Sequence, residues 1–343
     1  MDFSPDEGQQ AVADVVTSVL DRENSWEALV AGGVPALAVP ERLGGDGVGL
    51  AEIATALTEI GRRGTVSSAL ATLGSTAVLL DMGSEAQQDR YLAGVAKGSM
   101  LTFALGEPGA SLPDQPATTL VGNTLNGTKV AVGYAEQADW IIVSTDSGVA
   151  VVSGKADGLT VTKTPTSNGS DEFVVSFVDV AVGAADVLEG ATARRVNQLV
   201  LAMIGAFAAG LVAGALRLTA DYVATREQFG RPLSTFQTVA AQLSEVYIAS
   251  RTISLVATSA VWLLAEGDDS ESDVDSELAI LGYWLTSQAP PAMRTCHHLH
   301  GGMGMDITYP MDRYYSSIKD LTRLLGGPTH RLDLVGASTW AGA

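Results

Sequence analysis

From Leu199 to Leu218 the chain is apolar at every position except Arg217, a run of about the 20 residues that cross a bilayer. Whatever the chain folds into must keep this segment out of water. Much of it is Ala and Gly, which gain little on leaving water compared with Leu or Phe. The Gly210-xxx-Gly214 spacing lets another backbone come close to one helical face. No second span and no charged flanking pattern support a membrane reading, so the segment is expected to be a buried helix of a bundle.

The periodicity around it changes twice. Up to about residue 98 the chain reads as helices: Ser4-Pro5-Asp6-Glu7 looks like an N-cap with Pro at the first helical position, and apolar residues recur at helical spacing through Leu20. The pattern breaks at Ala38-Val-Pro-Glu-Arg-Leu-Gly-Gly45 and resumes from Leu50 to Ile60. From about Met100 to Val187, short runs such as Trp140-Ile-Ile-Val143, Val149-Ala-Val-Val152 and Glu172-Phe-Val-Val-Ser-Phe177 sit between Gly, Asn, Asp and Pro clusters, as antiparallel strands do. Beyond Arg194 the chain is helical again. An acidic break at Glu266-Gly-Asp-Asp-Ser-Glu-Ser-Asp273 is expected to be a solvated loop between antiparallel helices.

Composition narrows the class. A chain of 343 residues with 46% hydrophobic content can bury a large core, and its length suggests two or three domains. The net charge of -19 argues against nucleic acid, whose phosphates it would repel. A lone cysteine, Cys296, cannot form an intrachain disulfide and fits a reducing cytoplasm. The acidic Met1-Asp-Phe-Ser-Pro-Asp-Glu start shows no secretory signal. Cys296 and His300 are four apart, and three of the four histidines fall within four residues, but no second ligand cluster at structural-site spacing joins them, so no metal is expected.

Two blocks carry the functional reading, Arg226-Glu-Gln-Phe-Gly-Arg-Pro-Leu-Ser-Thr-Phe-Gln237 and His297-His-Leu-His-Gly-Gly-Met-Gly304. They resemble the segments with which acyl-CoA dehydrogenases hold the pyrophosphate and adenosine end of FAD. Ala38-Val-Pro-Glu41 with Gly44-Gly45, Leu105-Gly-Glu-Pro-Gly109 and Leu125-Asn-Gly-Thr-Lys129 also resemble stretches of that family, in the same order along the chain. The resemblance implies an α+β, mostly α fold: an N-terminal helical domain over 1–98, a middle antiparallel β domain over 99–190, and a C-terminal four-helix bundle over 191–343.

It also implies an FAD-binding set of Arg226, Gln228, Phe229, Gln237, His298, Gly301 and Gly302, used in trans across a subunit interface. A planar, permanently charged guanidinium suits phosphate oxygens, and glycines admit close backbone approach. Many relatives carry Gln where His298 stands. A surface arginine with two packing residues at a turn is the plainer reading of the first block.

Other family features are missing. The reaction needs a carboxylate at the α carbon of the thioester, but the position of the family's catalytic glutamate reads Gly326, within Leu324-Leu325-Gly326-Gly327-Pro328, and an alternative base position falls near Val200. Glu107 belongs to a loop where relatives also carry Glu without using it as the base. The Trp-x-Thr that contacts the flavin ring in relatives is replaced within Val130-Ala131-Val132-Gly133, and their Gly-Ser-Asp by Ser111-Leu112-Pro113-Asp114.

The chain thus resembles the short, catalytically incomplete subunits of actinobacterial two-plus-two heterotetrameric acyl-CoA dehydrogenases of steroid side-chain degradation. That resemblance implies a complete homologous partner, FAD shared at the interface with it, a steroid-derived acyl-CoA thioester as substrate, and electron-transfer flavoprotein or a similar acceptor. Two alternatives stay open: a self-sufficient homotetramer with a relocated base, and a flavin-free scaffold or acyl-CoA-binding protein.

Overall fold

The computed structural model describes residues 4–266 and 271–340. Six helices come first, α1 (Glu7–Arg22), α2 (Trp26–Ala31), α3 (Val34–Leu37), α4 (Leu50–Arg62), α5 (Ala69–Met82) and α6 (Glu85–Leu92). Eight strands follow, β1 (Leu101–Ala104), β2 (Thr119–Val121), β3 (Thr124–Gly133), β4 (Trp140–Thr145), β5 (Gly148–Ser153), β6 (Leu159–Thr164), β7 (Glu172–Ala181) and β8 (Val187–Leu188). Then come α7 (Ala193–Thr225), a small hairpin of β9 (Glu227–Gln228) and β10 (Arg231–Pro232), α8 (Gln237–Glu266), α9 (Glu271–His300), α10 (Met311–Leu324) and α11 (Gly327–Trp340). The acidic break expected after Glu266 falls on residues 267–270, outside the described residues.

The chain divides into two compact units, one of Pro5–Ala56 with Ser67–Met203, the other of Leu57–Val66 with the chain from Ile204 onward. In the first unit the strands form two four-stranded sheets, ordered β1-β4-β5-β8 and β2-β3-β7-β6. Alternating burial along β7 sends Phe173, Val175 and Phe177 into a core that also takes Leu125 and Val132 of β3 and Ile141, Val143 and Val152 of the other sheet. Each such fully buried side chain stabilises the fold by about 1.5–3 kcal/mol. The sheets are not wholly antiparallel. Leu101 to Ala104 runs parallel to Trp140 to Val143, because β2 and β3 enter the other sheet before the chain returns in β4.

The start of α1 also departs from expectation. Asp6, not Ser4, is the cap: its Oδ1 accepts the Gln9 amide at 2.8 Å, and Gln9 Oε1 accepts the Asp6 amide at 3.1 Å. A carboxylate in this position satisfies a free amide and opposes the helix dipole, which a neutral serine cannot match.

In the second unit α7 is the buried helix that its composition predicts, with 89% of its most apolar window buried. A Cβ on Gly210 would stand 2.0 Å from the Thr58 carbonyl oxygen, and one on Gly214 2.3 Å from that of Arg62. The backbone that the glycine pair admits is thus the last turn of α4. A second helix, α8, is also long and apolar enough to cross a membrane, which the sequence reading did not anticipate, and only 33% of its window is buried. Among the described residues five α-helices follow β8. The chain breaks between α10 and α11 because Gly326 and Gly327 both take φ of 81°, outside the range a right-handed helix allows.

Candidate functional site

At the end of α7 the chain turns straight into the β9/β10 hairpin, pairing Gln228 with Arg231 and Glu227 with Pro232. A two-residue tip of this kind needs positive φ at both central positions. Phe229 has φ of 55° and Gly230 of 75°. Glycine does this freely, whereas a phenylalanine there costs about 1–2 kcal/mol. The strained residue leaves its ring 92% exposed, edge-on to Phe236 at 6.2 Å between centroids, while the Arg231 guanidinium lies 4.1 Å above the Phe236 ring.

Arg226 is fixed on both sides of its backbone: its amide donates to the Tyr222 carbonyl at 2.8 Å, and its carbonyl accepts the Leu233 amide at 2.9 Å. Its guanidinium is exposed and makes no hydrogen bond or ion pair among the described residues. This chain has 39 Asp and Glu against 20 Lys and Arg, so an arginine left without an acid points to an anion from outside the fold. Gln228 is exposed, with its amide nitrogen on the Glu227 carbonyl at 2.7 Å, and Gln237 opens α8, also exposed.

The second block closes α9. Its three histidines have separate roles. His300 is buried, stacked on Tyr222 at 4.6 Å and tilted against Tyr309 at 5.3 Å. Its Nδ1 donates to the Cys296 carbonyl at 2.8 Å, and burial pushes its pKa down, so the ring is held neutral. His297 lies against Tyr315 at 5.4 Å. His298 is exposed. Gly301, with φ of 59°, ends the helix; Gly302 has no positive φ and no atom within 4 Å of where a Cβ would stand. Nothing within the chain demands glycine at 302, whereas a group approaching from outside would.

The two blocks meet. The Tyr222 hydroxyl donates to the His300 carbonyl at 3.4 Å, and their rings stack. The sequence reading missed Tyr222 because its only signal is a polar aromatic one turn before Arg226. No group of three or more His, Cys, Asp or Glu placed to hold a metal occurs among the described residues. Cys296 and His300 share a helical face, but the link between them is a backbone carbonyl. Burial pushes the Cys296 thiol up to about 11.

Neither base position offers a titratable group. Gly326 is exposed in its left-handed turn, and Val200 is fully buried within α7.

In the β unit, Glu107 is spent on structure. Its carboxylate accepts the Ala117 amide at 2.6 Å, the Thr118 amide at 2.9 Å, the Thr118 hydroxyl at 2.7 Å and Lys129 Nζ at 2.9 Å. Burial opposes the charge, but the Thr118, Ala117 and Lys129 hydrogen bonds outweigh it and hold the pKa near 2. Lys129 is itself fully buried and also reaches the Leu105 carbonyl and the Ser144 hydroxyl.

Past Lys129 the strand bulges, Ala131 takes φ of 55°, and the Gly133 carbonyl accepts the Thr102 hydroxyl at 2.6 Å. The Ser111–Asp114 segment is tied down by Asn197, whose Nδ2 donates to the Leu112 and Pro113 carbonyls and to Asp114 Oδ1, a contact that the sequence did not announce. The donors and ring at 226–237 and 298–302 suit the pyrophosphate and adenosine of FAD; Ala131 and Gly133 offer neither an aromatic ring nor a hydroxyl.

Comparison with known proteins agrees with this reading. Residues 2–99 match the model of the acyl-CoA dehydrogenase N-terminal domain and residues 201–336 that of the C-terminal domain. The chain is 69% identical over 338 residues to acyl-CoA dehydrogenase FadE28 of Mycobacterium tuberculosis, covering 98% of each chain, and 34% identical to FadE27 of the same organism, covering 95% of this chain and 90% of that one. Among solved structures, a chain of the ChsE4-ChsE5 complex from Mycobacterium tuberculosis superposes with a TM-score of 0.88 at 28% identity over 99% of both chains. The Tcur3481-Tcur3483 steroid ACAD follows at 0.87 and 26% over 98% of both. With family models on both flanks of the strands and a relative matched end to end, the chain belongs to the acyl-CoA dehydrogenase family of FAD-dependent oxidoreductases.

Proposed function

We propose that this chain is the catalytically incomplete subunit of a heteromeric acyl-CoA dehydrogenase that introduces an α,β double bond into a steroid side-chain acyl-CoA. A complete homologue supplies the base and the flavin-ring contacts. This chain lends Arg226, Gln228, Phe229, Gln237, His298, Gly301 and Gly302 to the outer half of the FAD. FAD, when bound, accepts the hydride from the β carbon. The residues here do not touch that step; they orient the cofactor through its phosphates and adenine. Two copies of each subunit hold one FAD per heterodimer in the cytoplasm, and the electrons pass to an electron-transfer flavoprotein or similar acceptor. The relatives lend support, since two solved neighbours are named as a complex and as a steroid ACAD.

The observation that carries this reading is the contrast at Arg226 and Gly326. The arginine is exposed without an acid among the described residues, while the residue at the base position is a glycine at positive φ, which a glutamate adopts only with strain. The test is purification from cells with any bound partner, followed by flavin content per chain and turnover with acyl-CoA and an artificial acceptor. The expected result is a homologous partner at equal ratio, about half an FAD per polypeptide, and no turnover by this chain alone. One FAD per chain with turnover by the verified single chain overturns the proposal.

A further inference from the structure

We propose that Asn168, in the turn between β6 and β7, is a self-modification site, where the Gly169 amide attacks the asparagine side chain and converts it to aspartate and isoaspartate. Two of the five asparagines in the chain are followed by glycine, Asn126 and Asn168. A glycine in second place has no Cβ to keep its amide away from the preceding side chain, so by sequence the two are equal candidates. The fold treats them in opposite ways.

Asn126 lies within β3, and its side chain is engaged on the neighbouring strand. Its Nδ2 donates to Asp179 Oδ1 at 3.1 Å, and its Oδ1 accepts the Asp179 amide at 2.8 Å. A side chain stretched across to β7 cannot fold back onto the next amide of its own strand. Gly127 has no freedom to come to it either. It pairs with Phe177 across the sheet, and it lies so near Thr118 that a Cβ would stand 2.5 Å from the hydroxyl oxygen.

Asn168 bends back on its own backbone instead. Its Oδ1 accepts the Ser170 amide at 2.9 Å, the turn that asparagine forms with the residue two places on, which carries the side-chain carbonyl past the Gly169 nitrogen. Gly169 is exposed at φ of 76°, nothing lies within 4 Å of where its Cβ would stand, and its amide makes no hydrogen bond among the described residues. Thr166 Oγ1 donates to the Ser170 carbonyl at 2.8 Å and holds the turn closed around the pair. The Ser170 amide also acts on the reaction itself. As the Gly169 nitrogen adds to Cγ, negative charge builds on Oδ1, and a backbone N–H already aimed at that oxygen stabilises it.

Water is the one further reagent. The bond between the Gly169 nitrogen and Cγ forms, the Cγ–Nδ2 bond breaks, and Nδ2 leaves as ammonia with the proton of the Gly169 amide. Water then opens the cyclic imide at one carbonyl or the other, giving aspartate, or isoaspartate with the main chain rerouted through Cβ and Cγ. The new carboxylate stands three residues before Asp171, which Lys163 and Gln137 already engage, so the turn gains a negative charge.

The experiment ages the protein as purified from cells at neutral and at mildly alkaline pH and follows both Asn-Gly sites by peptide mass mapping, with the chain aged in denaturant as reference. In the native protein Asn168 should convert, faster at alkaline pH because more of the Gly169 amide is deprotonated, while Asn126 stays intact. In denaturant the two should convert alike. Asn168→Gln, whose longer side chain closes a less favourable ring, should abolish the acidic form seen on isoelectric focusing. Equal conversion of both sites in the native protein overturns the proposal, as does an intact Asn168 there. The same preference for Asn168 in the denatured chain overturns it too, since the sequence and not the fold would then choose. None of these outcomes depends on a partner subunit or on bound flavin.

Discussion

Two regions of the molecule treat their polar groups in opposite ways. Around Glu107 and Lys129 every strong donor and acceptor is turned inward: one buried carboxylate takes four hydrogen bonds, and the buried ammonium opposite it makes three. Around the β9/β10 hairpin and the end of α9 the groups are turned outward, with Arg226 lacking a side-chain partner among the described residues, Phe229 almost fully exposed in a strained backbone, and His298 exposed. A region whose charges satisfy one another has stability to contribute and no chemistry left over. A region that keeps charge and aromatic surface exposed, at a cost to its own folding, is what the proposed FAD contact calls for.

The largest expected effect lies in the closed region. Glu107→Gln leaves Lys129 charged and unpaired in the core, and breaking a buried pair from one side costs about 3–5 kcal/mol, read as a shift of the denaturation midpoint. If stability held and only turnover fell, Glu107 would be a catalytic acid or base and the contrast would collapse. The same pair predicts an acid limb. Its carboxyl is held near 2, below the ordinary carboxylate range of about 4, so as pH falls through that range the unfolded chain takes up the proton first. The stability that the pair contributes is full above that range and lost on the way down to 2. Glu107→Gln should flatten this limb in acid-denaturation curves.

The open region is predicted to behave differently. Arg226→Ala should leave the chain as stable as before and its assembly intact, but lower FAD affinity roughly tenfold to hundredfold, as expected for a charge-assisted contact of about 1.5–3 kcal/mol. Excess FAD should recover part of the activity. Unchanged affinity in a flavin titration would reduce the hairpin to architecture. Phe229→Asn separates strain from contact: asparagine tolerates the left-handed turn, so the chain should gain up to about 1 kcal/mol in stability while FAD binding weakens. The smallest effect is expected at the lost base. Gly326→Glu should cost about 1 kcal/mol because of its positive φ and create no turnover in the chain alone; activity in that single variant would show that only the carboxylate was missing.

Much of this was legible in the residues. Helical periodicity located α1 and α4 and alternation located β7, because burial on one face leaves a period, whereas α7, β4 and β5 showed themselves as short or long apolar runs that are buried on every side. The Gly210-xxx-Gly214 spacing announced a close backbone and found it in α4. The two FAD-like blocks were visible as strings, but their junction through Tyr222 and His300 was not, since a stacking pair 78 residues apart leaves no local pattern. The parallel β1–β4 pair was hidden for the same reason: register between strands is decided by packing across the sheet. The Asp6 cap was misassigned because Ser4 and Asp6 are both good caps, and only the geometry of the following Gln9 decides between them.

The paired left-handed glycines at 326 and 327 bear on how a subunit of the proposed kind would depend on another chain. A substitution that places a carboxylate at 326 places it on a backbone held at positive φ, and a change of backbone alone supplies nothing selection can see. Recovery of independent catalysis would need both steps, with no benefit from the first. On the proposed reading of the chain as an incomplete subunit, the turn would act as a ratchet, and the partner gene would become a condition for keeping this one.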